Sequence, residues 1–117
     1  LLMIVLNMLS IKGLTAAGRC DCGKPKRDYA DPVYRRGRAA MNAVETSGPF
    51  VAATVAAMLA GAAPFWVNLL AAIFLVSRIT MAIIHIRTEN QKMRSMAYVV
   101  GWACMILLAV LAVIAAF

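Results

Sequence analysis

No charged residue occurs between Glu45 and Arg78, and apolar side chains dominate this interval. The sequence from Gly61 to Pro64 is its only clear break. An α-helix needs ~20 apolar residues to cross the hydrocarbon core of a bilayer. Because lipid offers the backbone no hydrogen-bond partners, such segments cross it as helices. The interval therefore predicts an integral membrane protein rather than a soluble domain.

The rest of the chain follows the same pattern. Of its 117 residues, 63% are hydrophobic, which is far above the average of soluble domains. We predict an all-α, integral membrane four-helix bundle that forms a single domain over residues 1–117. A cleavable signal peptide is not expected, because no basic region precedes the first apolar segment. The four expected spans cover about residues 1–17, 36–60, 65–86 and 95–117.

The positive charge is concentrated in two of the links between these segments. The chain has 12 Lys and Arg against 5 Asp and Glu, and the link between the second and third segments has no charge. The positive-inside rule places the first and third links in the cytoplasm and both termini on the opposite side. We expect a bacterial inner membrane or an endomembrane. Anionic lipid headgroups account for the basic excess, so nucleic acid is not an expected partner.

The cysteines and the histidine give no metal-site pattern. Cys20 and Cys22 lie in the first link, Cys104 lies in the fourth segment, and His85 is the only histidine. Thiols of a cytoplasmic loop stay reduced. A closed zinc site needs four ligands, of which this pair supplies two. We therefore expect two reduced loop thiols and no metal site.

Arg38, Asn42 and Glu45 are spaced at i, i+4 and i+7, which places them on one face of a helix. An ionisable side chain this close to hydrocarbon is unfavourable unless it pairs. Glu45 is the only carboxylate within the apolar segments, and Arg78 lies midway along the third. We predict a structural Glu45–Arg78 ion pair, within one chain or between neighbouring copies.

A second polar group stands at the start of the fourth segment, where Arg94, Ser95 and Tyr98 occur together. Ser95 is a candidate N-cap. An ordinary membrane interface, with a snorkelling arginine and an interfacial tyrosine, is the alternative interpretation. Together with Arg38 and Asn42, the group suits a small anionic, peptide-like ligand, because guanidinium is the preferred partner of carboxylate.

Two stretches of the sequence resemble a known family. The first is RAAMNAVETSGPF, and the second is SRITMAIIHIRTENQKMRSMAYVVG. They resemble the MAPEG family (membrane-associated proteins in eicosanoid and glutathione metabolism), above all its microsomal glutathione transferase and prostaglandin E synthase branch. The first stretch fits the pattern R-A-x-x-N-x-x-E-x-x-x-P-F, and the similarity continues without a gap from Arg38 onward.

This resemblance implies a homotrimer of four-helix bundles that binds glutathione between subunits, on the cytoplasmic side. A lipophilic small molecule would be the second substrate. Arg94 would be catalytic and act on the glutathione sulfur, and His85 would replace a tyrosine of the family as a hydrogen-bond donor. The residues that the resemblance implies in glutathione binding are Arg38, Asn42, Glu45, His85, Ser95 and Tyr98.

The chain also departs from the family pattern. Ala40 and Met81 stand where histidines are usual, Met41 where arginine is frequent, and Ala43 where an acidic residue is frequent. Two functions stay open. One is a glutathione-dependent transferase or peroxidase that acts on lipophilic electrophiles, which the presence of Arg94 favours. The other is a non-catalytic lipid-binding, scaffold or accessory subunit with the MAPEG fold, which the missing polar residues favour.

Overall fold

The computed structural model describes all residues of the chain. It contains four α-helices and no strand, which confirms the predicted all-α four-helix architecture. The only β-type contact is an isolated bridge between Arg19 and Pro25 in the first link. The helices are α1 (Leu2–Ile11), α2 (Pro32–Leu59), α3 (Pro64–Arg87) and α4 (Gln91–Ala116).

Two of the four helices have the length and the apolar composition of a membrane span. They are α3, with 24 residues, and α4, with 26. The helix α2 is longer, with 28 residues, but the polar sequence from Asn42 to Pro49 keeps it outside this class. The first helix has ten residues in this sequence.

The first two helices differ from their expected bounds at the first link. The helix α1 ends at Ile11 rather than near residue 17, because Lys12 is extended and Gly13 has a φ of 79°, which favours glycine. The helix α2 begins at Pro32 rather than residue 36. There the Asp31 carboxylate accepts a 2.8 Å hydrogen bond from the Val33 N–H, and proline suits the first helical position.

The prediction that Ser95 caps the fourth helix is wrong. The helix α4 begins at Gln91, and Asn90 is its N-cap: the Asn90 carboxamide oxygen accepts a hydrogen bond from the Met93 N–H at 3.2 Å. Ser95 therefore lies within the first turns of α4. This places its hydroxyl on the helix surface, where it is exposed.

The buried side chains form small clusters along the bundle. Alanines are frequent among them, and small residues allow helices to approach closely. Near the middle, the rings of Phe50 and Phe74 are stacked with centroids 4.0 Å apart. Only 22 of the 117 residues are buried, so most apolar side chains face outward. Within a bilayer these faces are covered by lipid or by other copies of the chain.

The first link, residues 12–31, is tied back to α2. The Arg36 Nη2 donates to the carbonyl oxygen of Lys12 at 2.6 Å. The Arg35 Nη1 donates to the carbonyl oxygens of Tyr29 and Ala30, at 2.7 and 3.0 Å. These bonds hold both ends of the link against α2, so its side chains have defined positions beside the helix.

The cysteine pair of this link differs from the expectation. The sulfur atoms of Cys20 and Cys22 are bonded to each other as a disulfide, whereas two reduced thiols were expected. Cys104 is free and buried within α4. The chain has no cluster of three or more metal-ligating side chains.

Candidate functional site

The buried arginine of α3 has a different partner from the one predicted. Arg78 is 4% exposed, and its Nη2 donates to the carbonyl oxygens of Ala97 and Tyr98 at 2.8 and 3.2 Å. The only ion pair of the chain joins Arg35 and Glu89. Within the chain the Glu45–Arg78 pair is therefore not formed, because two α4 carbonyl groups accept from the guanidinium instead, and a pair between neighbouring copies stays a prediction.

A glycine explains why this arrangement is possible. A Cβ atom at position 101 would overlap the Arg78 guanidinium. Gly101 thus leaves the space in which the guanidinium lies against the α4 backbone. The same cation lies 5.4 Å from the ring centroid of Phe74 and 5.5 Å from that of Tyr98. Arg78 therefore joins α3 to the part of α4 that carries Tyr98.

A polar cavity of about 670 Å³ lies at this end of the bundle. Its walls come from the first link, α2, the end of α3 and the start of α4. The volume is within the range of small-molecule sites, which is roughly 300–1,000 Å³. The residues predicted to act on or bind the ligand all line it: Arg38, Asn42, Glu45, His85, Arg94, Ser95 and Tyr98.

Arg94 has the most unusual surroundings in this cavity. It is 8% exposed, and its Nη1 is buried without a hydrogen-bond partner. Its guanidinium carbon lies 4.4 Å from the ring centroid of Tyr29, within cation–π range. Tyr29 in turn packs edge-on against Tyr34, with centroids 5.0 Å apart. The link therefore holds an aromatic ring over the guanidinium predicted to be catalytic.

Asn42 and His85 face each other in the wall of the cavity. The Asn42 Nδ2 and the His85 Nε2 are 2.9 Å apart, and both side chains are buried. The His85 Nδ1 is buried and has no partner. One ring nitrogen is thus committed to Asn42, which leaves Nδ1 alone for the donor role predicted for His85.

The cavity carries more positive than negative charge. Three guanidinium groups line it, from Arg27, Arg38 and Arg94, against the carboxylates of Glu45 and Glu89. Guanidinium groups attract carboxylates and other anions. The arrangement suits a ligand that carries both signs of charge with a negative excess.

Several wall residues were not predicted from the sequence. Arg27 and Tyr29 come from the first link, and Glu89 and Gln91 come from the junction between α3 and α4. No helical spacing relates the link to the stripe on α2. Only the folding of the link back onto α2 brings Tyr29 to Arg94.

Four of the five family departures do not line this cavity, and the fifth, His85, does. Ala40, Ala43 and Met81 are buried at 8%, 8% and 2% exposure, and none of them lines the cavity. Met41 lines a different cavity, on another side of α2.

We expect Tyr29→Ala to weaken ligand binding at Arg94 by roughly two- to fivefold, because cation–π contacts contribute about 0.5–1 kcal/mol. Tyr29→Phe keeps the ring over the guanidinium and should bind like the unchanged chain. Isothermal titration of the detergent-solubilised protein with glutathione measures both. Equal weakening by the two variants would show that the phenol hydroxyl, and not the ring, is what matters.

These features define a class: an all-helical protein with two membrane-type helices and a cationic cavity beside the ends of α3 and α4. The family comparison is more specific. The model of the MAPEG family matches residues 1–114, nearly the whole chain. This chain belongs to the MAPEG family, which confirms the resemblance of the two sequence stretches at the level of the family. No curated protein and no solved structure matches the chain.

Family membership sets a general function. The MAPEG family comprises membrane proteins of glutathione-related and eicosanoid metabolism, and two apolar helices of span length agree with a membrane location. The family as a whole is associated with glutathione. The chemistry of this particular chain depends on its own cavity.

Proposed function

We propose that this chain is a glutathione-dependent transferase or peroxidase of the microsomal glutathione transferase and prostaglandin E synthase branch, acting on lipophilic electrophiles. The observation that carries the proposal is Arg94. It is a buried cation in the wall of a polar cavity, with one nitrogen that lacks a partner. A buried, unpaired charged donor is unfavourable, so a bound anion stabilises it.

The residues of the cavity fit glutathione. This tripeptide has more carboxylates than ammonium groups, and the cavity has an excess of guanidinium over carboxylate. Arg27 and Arg38 are suited to the carboxylates of the tripeptide, and Glu45 or Glu89 to its ammonium group. Ser95 and Tyr98 supply hydroxyls for its peptide groups. Glutathione is therefore matched by the charged and hydroxyl side chains of the cavity together, and not by one residue alone.

Arg94 acts on the sulfur in this proposal. When bound, glutathione supplies a thiol whose thiolate form is the nucleophile. A fixed guanidinium favours that anionic form by direct charge attraction and hydrogen bonding. Tyr29 and the burial of Arg94 keep the guanidinium away from bulk water, which strengthens the attraction.

We also propose that the chain assembles as a homotrimer. The support is the outward face of α2, where Glu45 and Val44 are exposed next to an apolar segment. A carboxylate at this depth needs protein or water around it rather than lipid. Packing of copies along α2 provides this cover. It also places residues of a neighbouring copy near the cavity that Glu45 lines.

The second candidate function is a non-catalytic subunit that keeps the fold. The contact between Asn42 and His85 favours it, because the two side chains satisfy each other and so have less to offer a ligand. Under this proposal the cavity is a structural polar cluster, and binding of lipid or of a protein partner is the role of the chain.

Ultraviolet difference spectroscopy of the purified protein distinguishes the two functions. If the chain is an enzyme, adding glutathione at neutral pH produces a thiolate signal, and a generic aryl halide is conjugated. Calorimetry on the same sample reports binding separately. Glutathione that binds without a thiolate signal and without conjugation would contradict the enzyme and support the non-catalytic subunit.

A further inference from the structure

The disulfide of the first link closes a very short stretch of chain. Cys20 and Cys22 are two positions apart, so the bond joins no two helices. A disulfide stabilises a fold mainly by restricting the unfolded chain, and this effect grows with the length of the closed loop. The bond therefore adds little to stability, and a structural role does not account for it.

Backbone hydrogen bonds hold the same turn without the disulfide. The Gly23 N–H donates to the Cys20 carbonyl oxygen at 2.8 Å, and the Cys20 N–H donates to the Lys24 carbonyl oxygen at 2.9 Å. The Lys26 N–H donates to the carbonyl oxygen of Gly18, also at 2.9 Å. The two thiols formed by reduction would thus stay close together, and the disulfide can open and close again within a turn that keeps its shape.

The cysteine turn lies away from the α2 face on which we propose that copies pack. Cys22 is exposed and Cys20 is half-buried. The turn packs on α2 through Pro25, since a Cβ at Gly37 would lie 3.2 Å from the Pro25 Cγ. Val44 follows Gly37 by seven residues, which is about 10 Å along a helix. Packing of copies at Val44 therefore does not require the turn to be covered.

Positive charge surrounds the cysteine pair. Cys20 and Cys22 line a cavity of about 600 Å³ between α1, the first link and α2. The cations in its wall are Lys24, Lys26, Arg27 and Arg38. Glu45 is its only carboxylate, because Asp21 does not line it. Nearby cations stabilise a thiolate, which is both the attacking and the leaving group of disulfide exchange, and they attract an anionic thiol.

The predicted orientation in the membrane adds a second argument. The positive-inside rule places the first link in the cytoplasm, and the few disulfides that occur there are usually catalytic or redox-sensing. We propose that Cys20 and Cys22 form a reversible dithiol–disulfide site that exchanges electrons with small anionic thiols such as glutathione. This activity is separate from the chemistry at Arg94 and does not require glutathione to bind in the polar cavity.

The exchange consists of two balanced steps. The thiolate of a first glutathione attacks the exposed Cys22 sulfur, a mixed disulfide forms, and the bond to Cys20 breaks. Cys20 leaves as a thiolate and takes up the proton that this glutathione lost. The thiolate of a second glutathione attacks the glutathione sulfur of the mixed disulfide, which releases oxidised glutathione and leaves Cys22 to be protonated in turn. The site gains two electrons, and oxidised glutathione reverses both steps.

Counting the thiols of the whole chain in detergent tests the proposal. After incubation with reduced glutathione, the chain is quenched with acid, denatured and labelled with N-ethylmaleimide for mass spectrometry. Cys104 is free and supplies one label in every sample, so we expect one label before reduction and three after it. Oxidised glutathione should restore one label. A chain that keeps one label in millimolar glutathione carries a structural disulfide, which would overturn the proposal.

Cysteine variants separate this activity from the proposed enzyme. Cys20→Ser should trap one glutathione on Cys22 when oxidised glutathione is added, and an unreactive Cys22 would contradict the first step. Cys20→Ser combined with Cys22→Ser should keep whatever thiolate signal the unchanged chain gives with glutathione, because neither cysteine lines the polar cavity. Loss of that signal would show that the disulfide supports the polar cavity as a structural bond, against the proposal.

A charge variant with a matched control tests the choice of thiol. Lys24→Gln combined with Lys26→Gln should lower the ratio of the reduction rates by glutathione and by neutral 2-mercaptoethanol roughly fivefold at low salt, because only the anionic thiol loses an attraction. Lys12→Gln combined with Lys92→Gln removes the same charge from exposed lysines that do not line the cavity, so the ratio should stay within about twofold. Equal ratios in the two double variants would contradict selection by the cavity.

Discussion

Arg94→Ala is expected to abolish the thiolate signal of bound glutathione and to lower conjugation by at least tenfold. Arg94 is the buried guanidinium of the polar cavity that Tyr29 covers. Without it, the thiolate loses its nearest fixed positive charge. Each tenfold fall in the thiolate population corresponds to about 1.4 kcal/mol, within the reach of one charge-assisted hydrogen bond. Difference spectra at several pH values measure the effect directly.

Two further variants make this result specific. Arg87→Ala removes the same charge from an exposed residue at the end of α3 that does not line the cavity, so it should leave the signal unchanged. Arg94→Lys keeps the charge but loses the planar group that stacks on Tyr29. It should shift the pH at which thiolate appears without abolishing it. A full signal in Arg94→Ala would show that another group stabilises the thiolate.

Gly101→Ala is expected to lower the free energy of unfolding by about 3 kcal/mol, at the upper end of the usual effect of overpacking a buried site. The added methyl group would overlap the Arg78 guanidinium, which is held by the Ala97 and Tyr98 carbonyl groups. Either the guanidinium leaves these acceptors or α3 and α4 move apart. Denaturant titration of the protein in detergent, followed by circular dichroism, measures the loss.

A matched control and a double-mutant cycle identify the cause. Gly48→Ala is also a helical glycine substitution, but no atom lies within 4 Å of its new Cβ, so it should be neutral or stabilise by up to about 1 kcal/mol. In the Arg78→Ala background the overlap is gone, so Gly101→Ala should cost little. Additive effects of the two substitutions would contradict the contact.

Much of the fold follows from local pattern. The uncharged interval after Glu45 and the apolar fourth segment predict α3 and α4 as long helices, because hydrocarbon leaves the backbone no other way to satisfy its hydrogen bonds. The helix starts were less accurate. Asp31 and Asn90 cap α2 and α4 several residues before the apolar residues begin, so hydropathy alone places both starts too late.

Part of the candidate site could also be predicted from local sequence patterns. Arg38, Asn42 and Glu45 share a helix face by spacing, and Arg94 and Tyr98 lie one turn apart, so each half of the cavity was predicted from one helix. The residues from the link were not predicted. Tyr29 reaches Arg94 only because Arg35 holds the link by its carbonyl oxygens, and no periodic pattern encodes such a contact.

The sequence by itself determined the helical membrane class, the family and most of the residues that line the polar cavity, because periodicity and hydropathy are local properties of the chain. Only the tertiary structure decided which groups the buried charged side chains contact. Glu45 and Arg78 are opposite charges that the sequence suggests should pair, yet Arg78 binds the α4 carbonyl groups. The physical reason is the missing side chain of Gly101, which lets a guanidinium reach backbone acceptors closer than any carboxylate.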